Sequence, residues 1–209
     1  MGERSIRKTA HGPVETRKSI RRRDEVGRGT NMKPVVIAVV GGKKSGKTTT
    51  IEMLIKHLAK KGYKIAAVKH IPEQDFTIDK EGKDTWKYAQ SGATTVIAVS
   101  ACEIATIEKI DFRKKPLAEI LRKCRTCNLV FLEGFKDRVA KSKKVYKIVV
   151  ANSEQQVAES FKIFEPILAF TGSYGLIRSN NQAPYVNVLK EPEKLVDLVE
   201  RLVSRRVVT

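Results

Sequence analysis

Residues 35–55 read VVIAVVGGKKSGKTTTIEMLI, and few chain arrangements accommodate that order. Val35 to Val40 is a continuous apolar run rich in β-branched residues, the pattern of a parallel strand buried on both faces. Ile51, Leu54, Ile55 and Leu58 then recur at i, i+3, i+4 and i+7, one stripe of an amphipathic helix that Gly62 ends. Between the two, Gly41, Gly46, Lys47 and Thr48 satisfy G-x-x-x-x-G-K-S/T, a pattern that requires a strand before it and a helix after it. Glycines let the backbone curl so that successive amides face one anion, and the helix N-terminus adds its positive field. Gly41, Gly42, Lys43, Lys44, Ser45, Gly46, Lys47, Thr48 and Thr49 therefore form the candidate phosphate loop. Lys47 is placed to reach the β- and γ-phosphates, the Thr48 hydroxyl to ligate Mg2+, and Thr49 to meet the α-phosphate.

Downstream, strands and helices alternate. YKIAAVKH predicts a second strand, and the polar IPEQDFTIDKEGKD leads to a short helix near Thr85 to Gln90 closed by SGA. TTVIAVS and EIATIEKI predict further strands, and PLAEILRKC predicts a helix with Pro116 in its first turn. NLVFL, YKIVVA, PILAF and YVNVL predict four more strands, with helices near Gln155 to Phe161 and Glu193 to Val203. The alternation predicts an α/β fold, a mostly parallel sheet with helices on both faces, whose ligands bind at the carboxyl ends of the strands. In NLVFLEGFK, Glu133 stands where a phosphate loop needs a second carboxylate to steady Mg2+. Its extra methylene relative to Asp allows it to act through a metal-bound water. Gly134 offers a free backbone amide to a terminal phosphate. Lys47 and Glu133 are the residues expected to carry any phosphoryl chemistry, and no side chain stands out as a base for water, so slow hydrolysis is expected.

The formal charge of +18 demands an anionic partner. Residues 1–31 contain nine Lys or Arg against four acids and lack hydrophobic periodicity, so they are read as a loosely attached basic tail. Met32, directly before the first strand, is a candidate functional start. Residues 32–209 form one nucleotide-binding domain. Most of the excess charge lies in that domain, and aromatic residues that stack bases are few. A small phosphorylated ligand is thus the expected partner, ahead of nucleic acid. No apolar run is long enough to span a membrane and no secretory leader is visible, which predicts a cytoplasmic protein. Cys124 and Cys127 lack a second ligand pair and are read as helix-end cysteines.

GGKKSGKTTTIEMLI, VKH at Val68 to His70, DKEGKDT at Asp79 to Thr85, SGA at Ser91 to Ala93 and LVFLEGFK at Leu129 to Lys136 occur in the order and spacing of one family. Over residues 33–151 the chain resembles molybdopterin-guanine dinucleotide biosynthesis protein B (MobB). The resemblance implies a GTP-binding, Mg2+-dependent accessory factor of molybdenum cofactor maturation. It further implies a slow GTPase and a homodimer working with the guanylyltransferase that joins GMP to molybdopterin. It places Lys69 and His70 at the mouth of the second strand, towards nucleotide or the molybdopterin phosphate, and Asp79, Lys83 and Asp84 in a loop that senses magnesium. Two departures stand out. Lys43 and Lys44 replace small polar residues inside the loop, and no N-K-x-D is present, so guanine preference rests on the resemblance, with AFTGS at Ala169 to Ser173 as candidate base contact. A small-molecule kinase and a basic RNA-binding protein are the alternatives.

Overall fold

The computed structural model describes residues 33–172 and 183–207. The basic tail, Met32 and Ser173 lie outside the described residues. Strand β1 (Val35–Gly41) forms the middle of a six-stranded sheet. Its neighbours are β5 (Leu129–Glu133) and β6 (Val145–Val150), and the sheet continues through β2 (Ile65–Lys69) on one side and β7 (Ile167–Gly172) and β8 (Tyr185–Asn187) on the other. Every pairing in this sheet is parallel. The carboxyl ends of all six strands therefore share one edge, and the phosphate loop leaves β1 at that edge.

The pleat of β1 divides the core. Val35, Ile37 and Val39 face a layer that includes Leu54 and Leu58 of α1 (Lys47–Lys60) and Leu195 and Val199 of α6 (Pro192–Val207). Val36, Ala38 and Val40 face the other layer, with Leu117 and Leu121 of α3 (Leu117–Arg122), Val139 of α4 (Lys136–Val139) and Phe161 of α5 (Glu154–Ile163). Burial on both faces explains why β1 shows no polar alternation. Leu54 and Leu58 are fully buried, each contributing about 1.5–3 kcal/mol of hydrophobic stabilisation.

Two expectations change in detail, and one buried charge is added. TTVIAVS and EIATIEKI do form strands, β3 (Thr95–Val99) and β4 (Ile104–Glu108), but they pair antiparallel with each other as a separate two-stranded unit. Its outer face exposes Ile97, Val99 and Ile104. Pro116 occupies the N-cap position just ahead of α3 rather than its first turn. Inside the apolar run of β6 lies Lys147, with no exposed surface. Its ammonium donates to the carbonyls of Ser142 and Val145 at 2.8 Å and of Glu165 at 2.5 Å, joining the turns that feed β6 and β7. Burial pushes its pKa down to about 8, with the Glu165 carboxylate opposing that shift.

Candidate functional site

The turn after β1 is held open by backbone conformation. Gly41 has φ +151°, and a Cβ there would lie 2.6 Å from the carbonyl oxygen of Val150, so no other residue fits between β1 and β6. Lys44 takes φ +58°, an uncommon left-handed conformation for a lysine and a local strain of the kind that gathers at functional loops. Thr50 donates from both its amide and its hydroxyl to the Gly46 carbonyl, each at 3.0 Å, and so fixes the first turn of α1. The Lys47 ammonium folds back to donate to the Gly42 carbonyl at 2.5 Å. The Ser45 hydroxyl is buried within the loop and has no hydrogen-bond partner among the described residues, although buried polar atoms are ordinarily paired. A phosphate oxygen is one chemical species that fits such an atom.

The sheet register brings the acid to this loop. Val39 of β1, Glu133 of β5 and Lys69 of β2 lie in one row. The Thr48 hydroxyl donates to the Glu133 carboxylate, whose two oxygens lie 3.1 and 3.2 Å away. The Lys69 ammonium stands 3.5 Å from the same carboxylate. Glu133 is largely buried whereas Lys69 is mostly exposed, so the lysine can leave without desolvating anything else. Oxygen donors on Thr48 and Glu133 together are the hard ligand set that Mg2+ prefers.

His70 is hydrogen-bonded into the turn that follows β5. Its amide donates to the Glu133 carbonyl at 2.8 Å and its Nδ1 lies 3.2 Å from the Gly134 carbonyl, which assigns the proton to Nδ1. Its ring contacts Phe112 at 5.0 Å and Phe135 at 5.6 Å between centroids. Arg138 covers Phe112 at 3.9 Å and donates to the carbonyls of Lys115 and Phe112 at 2.5 and 2.6 Å. His70 thus forms the backing of the Glu133–Gly134 turn. Gly134 sits at φ +85°, and a Cβ on it would lie 3.0 Å from the His70 carbonyl oxygen. Neither Arg138 nor Phe112 is assigned to this turn by any local pattern, because both act through contacts distant along the chain.

Lys43, Lys44, Thr48 and Thr49 are exposed at the loop surface. Among the described residues no hydrogen bond or ion pair brings Asp79 to them. One of its carboxylate oxygens accepts from the Lys80 amide at 2.9 Å and the Thr85 hydroxyl at 2.8 Å, ordering the approach to α2 (Asp84–Gln90). Its other oxygen is buried and has no partner among the described residues. Lys83 is the N-cap residue of α2, and Asp84 pairs with Lys87 at 3.5 Å. Ala169 to Gly172 end β7 at the edge carrying the phosphate loop, where Thr171 aligns with Val150 and Val150 with Gly41. Cys124 is buried, and burial, then the neighbouring Cys127, pushes its thiol pKa up, which suppresses the reactive thiolate. Among the described residues no helix is long and apolar enough to cross a membrane.

Comparison with known proteins accords with this geometry. A putative molybdopterin-guanine dinucleotide biosynthesis adapter protein of Methanocaldococcus jannaschii is 39% identical over 118 residues, 55% of this chain and 46% of that protein. The corresponding adapter protein of Haemophilus influenzae is 32% identical over 106 residues, 48% of this chain and 57% of that protein. The chain thus spans about half the length of these curated relatives. A crystal structure of molybdopterin-guanine biosynthesis protein B superposes with a TM-score of 0.61 at 23% identity, covering 81% of this chain and 99% of that one. A MobB homologue from Bacillus stearothermophilus gives 0.59 at 20% identity, covering 81% and 98%. These two likenesses establish the fold, a P-loop NTPase-like parallel α/β sheet. The family description "Molybdopterin guanine dinucleotide synthesis protein B" matches residues 36–171, and the chain belongs to that MobB family.

Proposed function

We propose that the chain binds GTP with Mg2+ at the carboxyl edge of β1 and serves as an adapter in molybdopterin guanine dinucleotide formation, alongside the molybdenum cofactor guanylyltransferase. The observation that carries the reading is the Thr48–Glu133 contact, which unites a phosphate loop with a strand-end acid. In this reading Lys47 leaves the Gly42 carbonyl for the terminal phosphates, and the loop amides and Ser45 hydroxyl hold the remaining oxygens. Thr48 and Glu133 hold Mg2+, which when bound supplies charge neutralisation to the phosphate tail. Lys69 stays paired with Glu133 until then, while Gly134, backed by His70, presents its amide. Among the described residues no side chain is positioned to activate water, so in this reading the chain hydrolyses GTP slowly. Lys43 and Lys44 at the mouth leave positive charge available for the phosphate of molybdopterin.

The exposed Ile97, Val99 and Ile104 support a homodimer formed through the β3–β4 unit, since contiguous apolar patches on a soluble protein mark interaction sites. Calorimetric titration with Mg2+ and GTP or ATP tests the nucleotide reading. Lys47→Ala is expected to lower GTP affinity by about 2 kcal/mol or more, the usual scale for hydrogen bonds to a charged group. Unchanged affinity, or equal affinity for ATP in the intact chain, would count against the site or its guanine preference respectively.

A further inference from the structure

The edge of the sheet opposite the phosphate loop carries a second concentration of positive charge. Because the sheet is parallel, the segments leading into β2, β5, β1 and β6 all emerge there, on four adjacent strands. They bear Lys60, Lys64, Arg125, Lys33, Lys143 and Lys144, all exposed. Lys61 and Lys123, on the same segments, are neutralised by Glu200 at 2.5 Å and Glu108 at 2.6 Å. The six make no ion pair among the described residues, and Glu165 is the acid exposed on the neighbouring turn before β7.

The turns holding these cations are tied together. Asn128 donates its amide to the Lys64 carbonyl at 2.7 Å and its own carbonyl accepts from the Val35 amide at 2.9 Å. Its side-chain oxygen accepts from the Lys64 amide at 2.7 Å. The buried Lys147 holds the Ser142 carbonyl just ahead of Lys143 and Lys144. Residues 1–32, with nine Lys or Arg against four acids, join this edge at Lys33.

We propose that this edge binds the phosphate backbone of a nucleic-acid duplex without reading its sequence. Three strand spacings of about 4.8 Å make a row roughly 14 Å long. A duplex presents one charge per roughly 1.7 Å of axis, hence about eight charges over that length, comparable with the six unpaired cations. Protein interfaces are instead depleted in lysine at their cores and anchored by aromatic and large apolar side chains. Among the described residues, none of the large exposed apolar side chains falls on these four segments, and Phe76, Ile78, Ile97, Val99 and Ile104 belong to the chain from β2 through β4. Scarcity of aromatics argues against stacking of unpaired bases and leaves phosphate contacts untouched.

The test uses the full chain and fluorescence anisotropy with labelled 20-base-pair RNA and DNA duplexes from 50 to 200 mM salt. Six phosphate contacts predict an affinity loss of about 1,000-fold across that range. The triple variant Lys64→Glu, Arg125→Glu, Lys144→Glu is expected to weaken binding more than tenfold at 50 mM salt and to lower the log–log salt slope by about 2.7. Lys80→Glu, Lys87→Glu, Lys190→Glu, an equal charge change on exposed residues elsewhere, is expected to leave the slope within about 1 of the parent. RNA and DNA arms differ only if the edge discriminates helix form. Equal weakening by both triples, absence of binding at 50 mM, or insensitivity to the edge triple with loss on deleting residues 1–31 overturns the proposal. Preferential, edge-dependent binding of poly-glutamate over both duplexes also overturns it, in favour of an acidic protein.

Discussion

Replacing Gly134 by Ala probes the turn that follows the candidate magnesium ligand. The left-handed conformation costs an L-residue about 1–2 kcal/mol. At φ +85° the new methyl would also stand 3.0 Å from the His70 carbonyl oxygen. That carbonyl belongs to a residue locked by Glu133, Phe112 and Phe135, so it cannot yield freely, and over-packing adds about 1 kcal/mol. Gly82 is an internal standard: it has φ +82° but nothing within 4 Å of its would-be Cβ. Gly82→Ala thus carries the backbone strain alone. For a chain of about 200 residues, 1 kcal/mol shifts Tm by about 2–4 °C. Gly134→Ala is expected to melt about 5–10 °C below the parent and about 2–4 °C below Gly82→Ala by scanning calorimetry. It should also weaken Mg2+–GTP binding, because Glu133 moves with the turn. Indistinguishable melting of the two variants would refute the argument that His70 buttresses Gly134.

Glu133→Gln is expected to shift the Mg2+ dependence of GTP binding to at least tenfold higher metal concentration, a change of about 1.4 kcal/mol, measured by titration at fixed nucleotide. Lys147→Met leaves three buried or partly buried carbonyls without their donor and is expected to destabilise the chain by about 1–3 kcal/mol in urea unfolding at pH 7. The folded pKa of Lys147 near 8 lies below the unfolded value of 10.5. The unfolded chain therefore holds the extra proton between those values, and stability rises with pH across that window and is flat below it, a rise that Lys147→Met should abolish. Val99→Asp places a charge on the exposed hairpin face and is expected to shift the sedimentation coefficient from dimer to monomer without lowering nucleotide affinity.

The strand, loop and first helix were legible because each depends on local periodicity: Val35 to Val40, the glycines, then Ile51 to Leu58. Glu133 was legible for a related reason, an acid terminating an apolar strand downstream of a phosphate loop. Strand pairing was not. Ile97 and Val99 look like core residues in one dimension, yet they occupy the outer face of a hairpin, because hydrophobicity does not reveal which surface will cover it. The tethering of His70 by Phe112 and Arg138 joins segments about 40 and 70 positions apart, beyond any periodic signal. Lys147 did leave a trace, a lone cation inside YKIVVA, but only the three converging carbonyls explain how a strand so deeply placed tolerates it.

The detachment of β3 and β4 from the principal sheet has a mechanical consequence. Bending or twisting that pair does not shear the hydrogen-bond ladder between β1, β5 and β6, so an object gripping the hairpin can move it while Thr48 and Glu133 keep their spacing. The molecule can accordingly alter what it holds on one side without retuning the chemistry on the other.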